Sequence, residues 1–105
     1  MITTTTLKNA ARAIEHDLWT DSDGCNYLVK DGAILRRWEP ETSSADSFEL
    51  MARLDMEVIS LTLRGFVLAE DFAMNHKGQC DHSEDRAQDY RTAILISAAS
   101  IGAAL

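Results

Sequence analysis

Proline occurs once, at Pro40, and glycine only five times in 105 residues. So few chain breakers exclude a proline-rich or glycine-rich linker and leave long stretches free for regular structure. Cysteine is equally scarce, with Cys25 and Cys80 alone. Two thiols cannot build the disulfide framework of a small secreted scaffold, so both are expected to be free. Long apolar runs are missing too. The longest, Ala93 to Leu105, spans thirteen residues and is interrupted by Ser97, Ser100 and Gly102, short of the ~20 residues that cross a bilayer. The opening segment from Met1 to Thr6 has neither the basic start nor the apolar stretch of a signal peptide. The expectation is a cytoplasmic chain with no membrane partner.

Positive charge is the other shortage. Ten Lys and Arg face seventeen Asp and Glu, a formal net charge of −7. The deficit is local. Residues 1–38 balance, whereas 39–57 carry Glu39, Glu41, Asp46, Glu49, Asp55 and Glu57 against Arg53 alone. Residues 69–90 carry six acids against Lys77 and Arg86. A phosphate backbone needs clustered Lys and Arg, so direct nucleic-acid binding is not expected. A basic protein surface is the complementary partner, although acidity also serves plain solubility.

What is present suffices for one core. Hydrophobic residues make up 46% of the chain, as in an ordinary globular domain. Leu7, Ala10, Ala11, Ile14 and Leu18 recur at spacings of three and four, which predicts a helix over 7–19 behind threonine cap residues. From Tyr27 to Trp38 two apolar runs flank Asp31-Gly32, a hairpin signal, and Pro40 ends the second strand. Ser43 is placed to cap a helix over 45–54, with Asp46 near its positive end and Phe48, Met51 and Ala52 on one face toward a sheet. Alternation of Ile59, Leu61 and Leu63 with Ser60, Thr62 and Arg64 predicts a half-buried strand with a solvent face. Gly65 breaks it and Phe66 to Ala69 forms the next strand. Asn75 to Glu84 reads as a polar, turn-rich loop. The segment from Ser83 to Leu105 begins with an acidic turn and becomes apolar almost all round, so it is either the central helix or a subunit interface. The fold class is thus α+β: a small, mainly antiparallel sheet packed with about three helices, the C-terminal one central.

Reactive chemistry is sparse. His76, Cys80 and His82, with Cys25 or Asp81 as a fourth ligand, offer the donor types of a zinc site, but the spacing matches no standard module. Cys80 beside either histidine would make a nucleophilic pair only in a basic or helix-N-terminal setting, and this stretch is acidic. Glu70 and Asp71, like Glu84 and Asp85, are adjacent carboxylates without the basic or glycine-rich context of a phosphate or magnesium site. His16 reads as a packed or surface histidine. Arg36-Arg37-Trp38 is the one dense grouping of basic and aromatic residues; Trp and Arg are typical of binding hot spots. The favoured reading is that the indole packs on the helix it introduces and the arginines pair with nearby acids.

Trp38-Glu39-Pro40, followed by Thr42-Ser43 and a short helix, two strands, an acidic loop and an Ala-Ile-x-x-x-Ala-Ala helix (Ala93, Ile94, Ala98, Ala99), resembles the phage ABA-sandwich domain family over roughly residues 27–102. Where that family often carries a cysteine after the Ala-Ile pair, this chain has Leu95 and Ile96. The resemblance implies a phage or prophage accessory protein in the bacterial cytoplasm, and supplies no catalytic residues. The expected function is non-enzymatic, without cofactor or metal: an anti-CRISPR-like acidic inhibitor that binds a basic host protein. Its contact surface is expected to draw on Glu39, Glu41, Asp46, Glu49, Glu70 and Asp71, with Arg36, Arg37 and Trp38. A homodimer through the 91–105 helix is a further expectation. The alternatives are a binder that sequesters a nucleotide signal through Arg36, Arg37 and Trp38, and a metal-dependent enzyme using the 76–82 stretch.

Overall fold

Threonines start the first helix. Thr3 Oγ1 accepts the amide of Thr6 at 3.2 Å and Thr6 Oγ1 accepts that of Thr3 at 3.4 Å, satisfying amides that a helix leaves unpaired at its start. Helix α1 then runs Thr4–Ala13 in the computed structural model, which describes residues 2–71 and 76–105. It stops well short of the expected Trp19. Glu15 adopts a left-handed φ of 64°, and the amides of Glu15 and His16 close back onto the carbonyls of Arg12 (2.9 Å) and Ala11 (3.0 Å). This is the usual reversal at a helix end, made here without the glycine that normally announces it. Leu7, Ala10, Ala11 and Ile14 are buried as the spacing predicts, but Leu18 belongs to a strand.

That strand, β1 (Asp17–Thr20), pairs antiparallel with β2 (Asn26–Lys30), and β2 with β3 (Ala33–Arg37). Asp31 and Gly32, with φ of 53° and 78°, form the two-residue turn between β2 and β3. Both central residues of such a turn require positive φ, as the Asp-Gly pair signals. Trp38 lies beyond β3 and its amide donates to the carbonyl of Asn26 at 2.8 Å. Its side chain is 0% exposed.

Helix α2 (Ser44–Arg53) is capped by Ser43, whose hydroxyl accepts the amide of Asp46 at 3.2 Å. Its buried stripe is Ser47 and Leu50, and Phe48 is 61% exposed, contrary to the face expected from Phe48, Met51 and Ala52. Asp46 and Glu49 both reach Arg36 on β3 from another side of the helix.

A second antiparallel sheet follows in the order β4 (Met56–Leu61), β5 (Phe66–Asp71), β6 (His76–Asp81). The expected single sheet is therefore two three-stranded sheets. Strand β6 occupies most of the stretch expected to be a polar loop; Asn75, its expected first residue, lies outside the described residues. His76, Gly78 and Cys80 face inward and Lys77, Gln79 and Asp81 outward, a period-two pattern concealed because the inward residues are polar or tiny. The loop after β4 is a turn with Gly65 at φ 79°, its amide bonded to the Leu61 carbonyl at 2.9 Å.

The facing of β4 also differs from expectation. Met56 and Val58 lie on the helix-packed side, while Ile59 is 53% exposed and Leu63, in the turn, is fully exposed. Alternation identified the strand but not which side the helices would choose.

Helix α3 (Arg86–Ala103) is central, as its apolar circumference requires. It packs on α1 along one side and on β5 and β6 along another, with α2 and β4 completing the enclosure. Two glycines set the closeness. A Cβ at Gly78 would run into the carbonyl oxygen of Ala93, and one at Gly102 into that of Asn9. Helix α3 thus meets β6 and α1 backbone to backbone. Both cysteines are free thiols, and among the described residues no helix is long and apolar enough to cross a membrane.

Gly102→Ala is expected to destabilise the fold by about 2–3 kcal/mol through overpacking. Ala103→Ser, one position on and exposed, should stay within about 0.5 kcal/mol. Urea unfolding of the two variants checks this; equal midpoints would mean that the α1–α3 approach carries no constraint.

Candidate functional site

The Arg36–Trp38 grouping is resolved into structural parts. Trp38 lies in the core, and its Nε1 has no hydrogen-bond partner among the described residues. Arg36 pairs with Asp46 at 2.8 Å and with Glu49. Burial acts to lower the pKa of Arg36, but these two carboxylates outweigh it and raise it. Arg37 is exposed on β3. Glu39 Oε1 accepts the amide of Asn26 at 2.7 Å and its Nδ2 at 3.0 Å, while the amide of Glu39 donates to Asp46 Oδ2 at 2.8 Å. Of the acids expected to face a partner, Glu39, Asp46 and Glu49 are thus engaged within the chain. Glu41 is exposed, and its carbonyl receives Arg91 Nε at 3.1 Å. Glu70 lies 3.9 Å from Lys77 Nζ, and Asp71 is buried. The structure brings Arg36, Asp46, Glu49 and Glu39 together and leaves Glu70 and Asp71 on another sheet.

Strand β6 separates the ligands proposed for metal. His76 and Cys80 are four residues apart on an extended strand, about 13 Å at ~3.3 Å per residue. Each histidine has its own serine: His76 Nδ1 meets Ser100 Oγ at 2.8 Å, and His82 Nε2 meets Ser60 Oγ at 2.9 Å. Among the described residues no three His, Cys, Asp or Glu side chains gather as a metal site would need. Burial pushes the Cys80 thiol up, and Asp89 and Asp81 push it further. At neutral pH it is held as a thiol, the opposite of an activated nucleophile.

Asp89 is the polar pivot here. It is 2% exposed, its Oδ1 accepts the Ser83 hydroxyl at 2.6 Å, and its Oδ2 accepts the Ser83 amide at 2.8 Å and lies 3.3 Å from Arg86 Nε. Ser83 therefore sits before α3 as a clamp on Asp89, and Asp85 caps the helix by accepting the amide of Gln88 at 3.1 Å.

Besides the half-exposed Trp19, Ile34 and Leu35 of the first sheet, two surfaces lie where the sequence did not single them out. One is the outer face of the second sheet. Ile59 stands opposite Leu68, and Leu61 opposite Phe66, so four apolar side chains adjoin on the face opposite the buried Val67 and Ala69, Ile59 exposed and the other three half-buried. Glu57, Glu70 and Asp81 border them, with Lys77 the one cation among these positions. The signal was the unbroken apolar run of Phe66 to Ala69, which implies that both strand faces seek cover. The other surface is a groove of about 470 Å³ between α2, α3 and β4, walled by Phe48, Met51, Val58, Tyr90 and Ile94. Its aromatic, apolar and basic groups lie far apart in the sequence, so no local motif reports it. Comparison of the chain with protein-family models, with curated proteins and with solved structures finds no match in any of the three.

The hydrogen bonds from Ser83 hold the Asp89 carboxyl below its ordinary pKa, against the opposing effect of burial. A folded-state pKa below the unfolded value gives stability that is present above the unfolded value of about 3.9 and is lost as pH falls through the folded one. Asp89→Asn is therefore expected to melt at a lower temperature at pH 7 and to lose less on acidification below pH ~4 than the parent. Parallel pH–melting curves for the two proteins would contradict this.

Proposed function

We propose that the chain acts by contact rather than turnover, docking on a partner protein through the outer face of β4, β5 and β6. The observation that carries this reading is the adjoining set Ile59, Leu61, Phe66 and Leu68, with Ile59 exposed and the other three half-buried, bordered by Glu57, Glu70 and Asp81. Apolar groups grouped on an otherwise charged surface are costly to leave in water, and such patches mark interaction sites. The acidic border selects a partner with an apolar centre and a basic rim, and it speeds encounter through long-range attraction. Helix α3 is less suited to pairing with a second copy, because α1, β5 and β6 already take up much of its apolar surface. The resemblance to the phage ABA-sandwich family supports the narrower setting: a phage or prophage accessory protein in the bacterial cytoplasm that inhibits a basic host factor.

The test is capture from bacterial lysate with the parent, with Ile59→Lys and with Leu68→Lys, each checked for an unchanged melting temperature. A basic protein captured by the parent should bind both variants at least tenfold more weakly, as expected for central contacts. Its binding to the parent should weaken as salt rises from roughly 0.05 to 0.5 M. Retention by both variants with unchanged affinity would sink the proposal, and a parent that sediments as a dimer while the variants are monomeric would reassign the face to self-association.

A further inference from the structure

The groove between α2 and α3 is the second unassigned surface, and it lies on the opposite side of β4 from the docking face: Val58 lines it, whereas Ile59 points away. In a chain with seventeen carboxylates, none lines this groove, while two of the ten cations do, Arg86 and Arg91. Helix geometry explains their placement. Ala87, Tyr90 and Ile94 follow the spacing of three and four that makes one stripe, and the arginines fall on either flank of it. Arg91 leans to the α2 wall, where Nε donates to the Glu41 carbonyl at 3.1 Å and Nη1 to Ser44 Oγ at 2.9 Å. Arg86 leans to the β4 wall, its Nη1 donating to Ser60 Oγ at 3.2 Å while its Nε lies 3.3 Å from the buried Asp89 Oδ2, which offsets part of its charge. The first turns of both helices open at the same place, since Ser44 begins α2 and Arg86 begins α3, and their dipoles add positive potential there.

A further observation points to a ligand. Ser47 lines the groove, is 2% exposed, and its Oγ has no hydrogen-bond partner among the described residues. A buried hydroxyl without a partner is costly; its Oγ is closed to solvent, so a polar atom of an occupant would relieve it on a rotation of the Ser47 side chain. Between the arginines the walls are apolar, with Phe48 61% exposed at the edge of the groove. A volume of about 470 Å³ falls within the roughly 300–1,000 Å³ of small-ligand sites.

We propose that this groove binds an amphipathic anion, a small molecule whose apolar body lies against Phe48, Met51, Val58, Tyr90 and Ile94 while its carboxylate or phosphate is held by Arg86 and Arg91. The site does not depend on the protein-docking role, because it uses the other side of β4 and none of the outer-face residues.

The experiment is an amide-resolved NMR titration of the full chain with 1-naphthyl phosphate and with decanoate, which separate a planar phosphate ester from a flexible carboxylate. Neutral 1-naphthol and inorganic phosphate serve as controls. Saturable shifts at residues of α2, the first two turns of α3 and Val58, with at least one of the anions and with neither control at the same concentration, are the expected result. Arg86→Gln should weaken that binding by about tenfold, the loss of one charged hydrogen-bond donor. Ala87→Phe, which fills the groove from an exposed position, should abolish it without unfolding the protein. Absence of binding by both anions, equal binding of 1-naphthol, shifts confined to the outer sheet face, or an Ala87→Phe variant that binds normally would each overturn the assignment.

Discussion

Everything in this fold depends on enclosing one helix. Residues 93–102 of α3 are apolar or small on nearly every side, and such a helix is stable only when covered from several directions. The chain covers it with a helix on one flank and strands on another, and the close fit at Gly78 and Gly102 shows how little separation remains. The rest follows from this demand. Helix α1 is small-sided at Ala10 and Ala11 because it must approach closely, and β6 carries a glycine at its centre for the same reason. The inner face of the second sheet is consumed by α3, which leaves its outer face to find another use.

Much of this was legible where local chemistry decides structure. The Asp31-Gly32 turn, the Ser43 cap, the stripe of α1 and the apolar circumference of α3 each announce themselves within a few residues. The misreadings share a cause as well. The end of α1 is made by Glu15 in a conformation usually reserved for glycine, so no breaker marked it. Strand β6 hides because Gly78, the deepest of its inward residues, contributes no hydrophobicity to a pattern. The facing of β4 was undecidable from alternation, because Met56 and Val58 on one side compete with Ile59 and Leu61 on the other. Only the position of α3 breaks that tie. Of the site candidates, Trp38 is buried and Arg36 pairs with nearby acids as the sequence led one to expect, but which acids was not legible, because Asp46 and Glu49 stand on the following helix. The groove was invisible, being assembled from α2, β4 and α3.

The acidity of the chain looks different once partners are assigned. A net charge of −7 suggests a uniformly negative surface, yet Asp46, Glu49 and Asp89 are tied to arginines and Glu39 to the backbone and side-chain amides of Asn26. Carboxylates at the surface are thus of two kinds. Some orient helices and caps, and their value lies in geometry, since exposed ion pairs contribute little energy. Others, such as Glu57 and Asp81, form no ion pair among the described residues and border the apolar sheet face. Only the second kind sets the field that an approaching molecule meets.

The pairing of α1 with α3 has a consequence for the birth of the molecule. The contact at Asn9 and Gly102 joins segments more than ninety residues apart. During synthesis the ribosome delivers α1, both sheets and α2 before their common scaffold exists. Tertiary structure must await the synthesis of α3, and until then the nascent chain carries an uncovered apolar stripe and an unsupported sheet. A chain built this way folds late rather than progressively, and its exposure to chaperones and proteases is concentrated in the interval before α3 emerges.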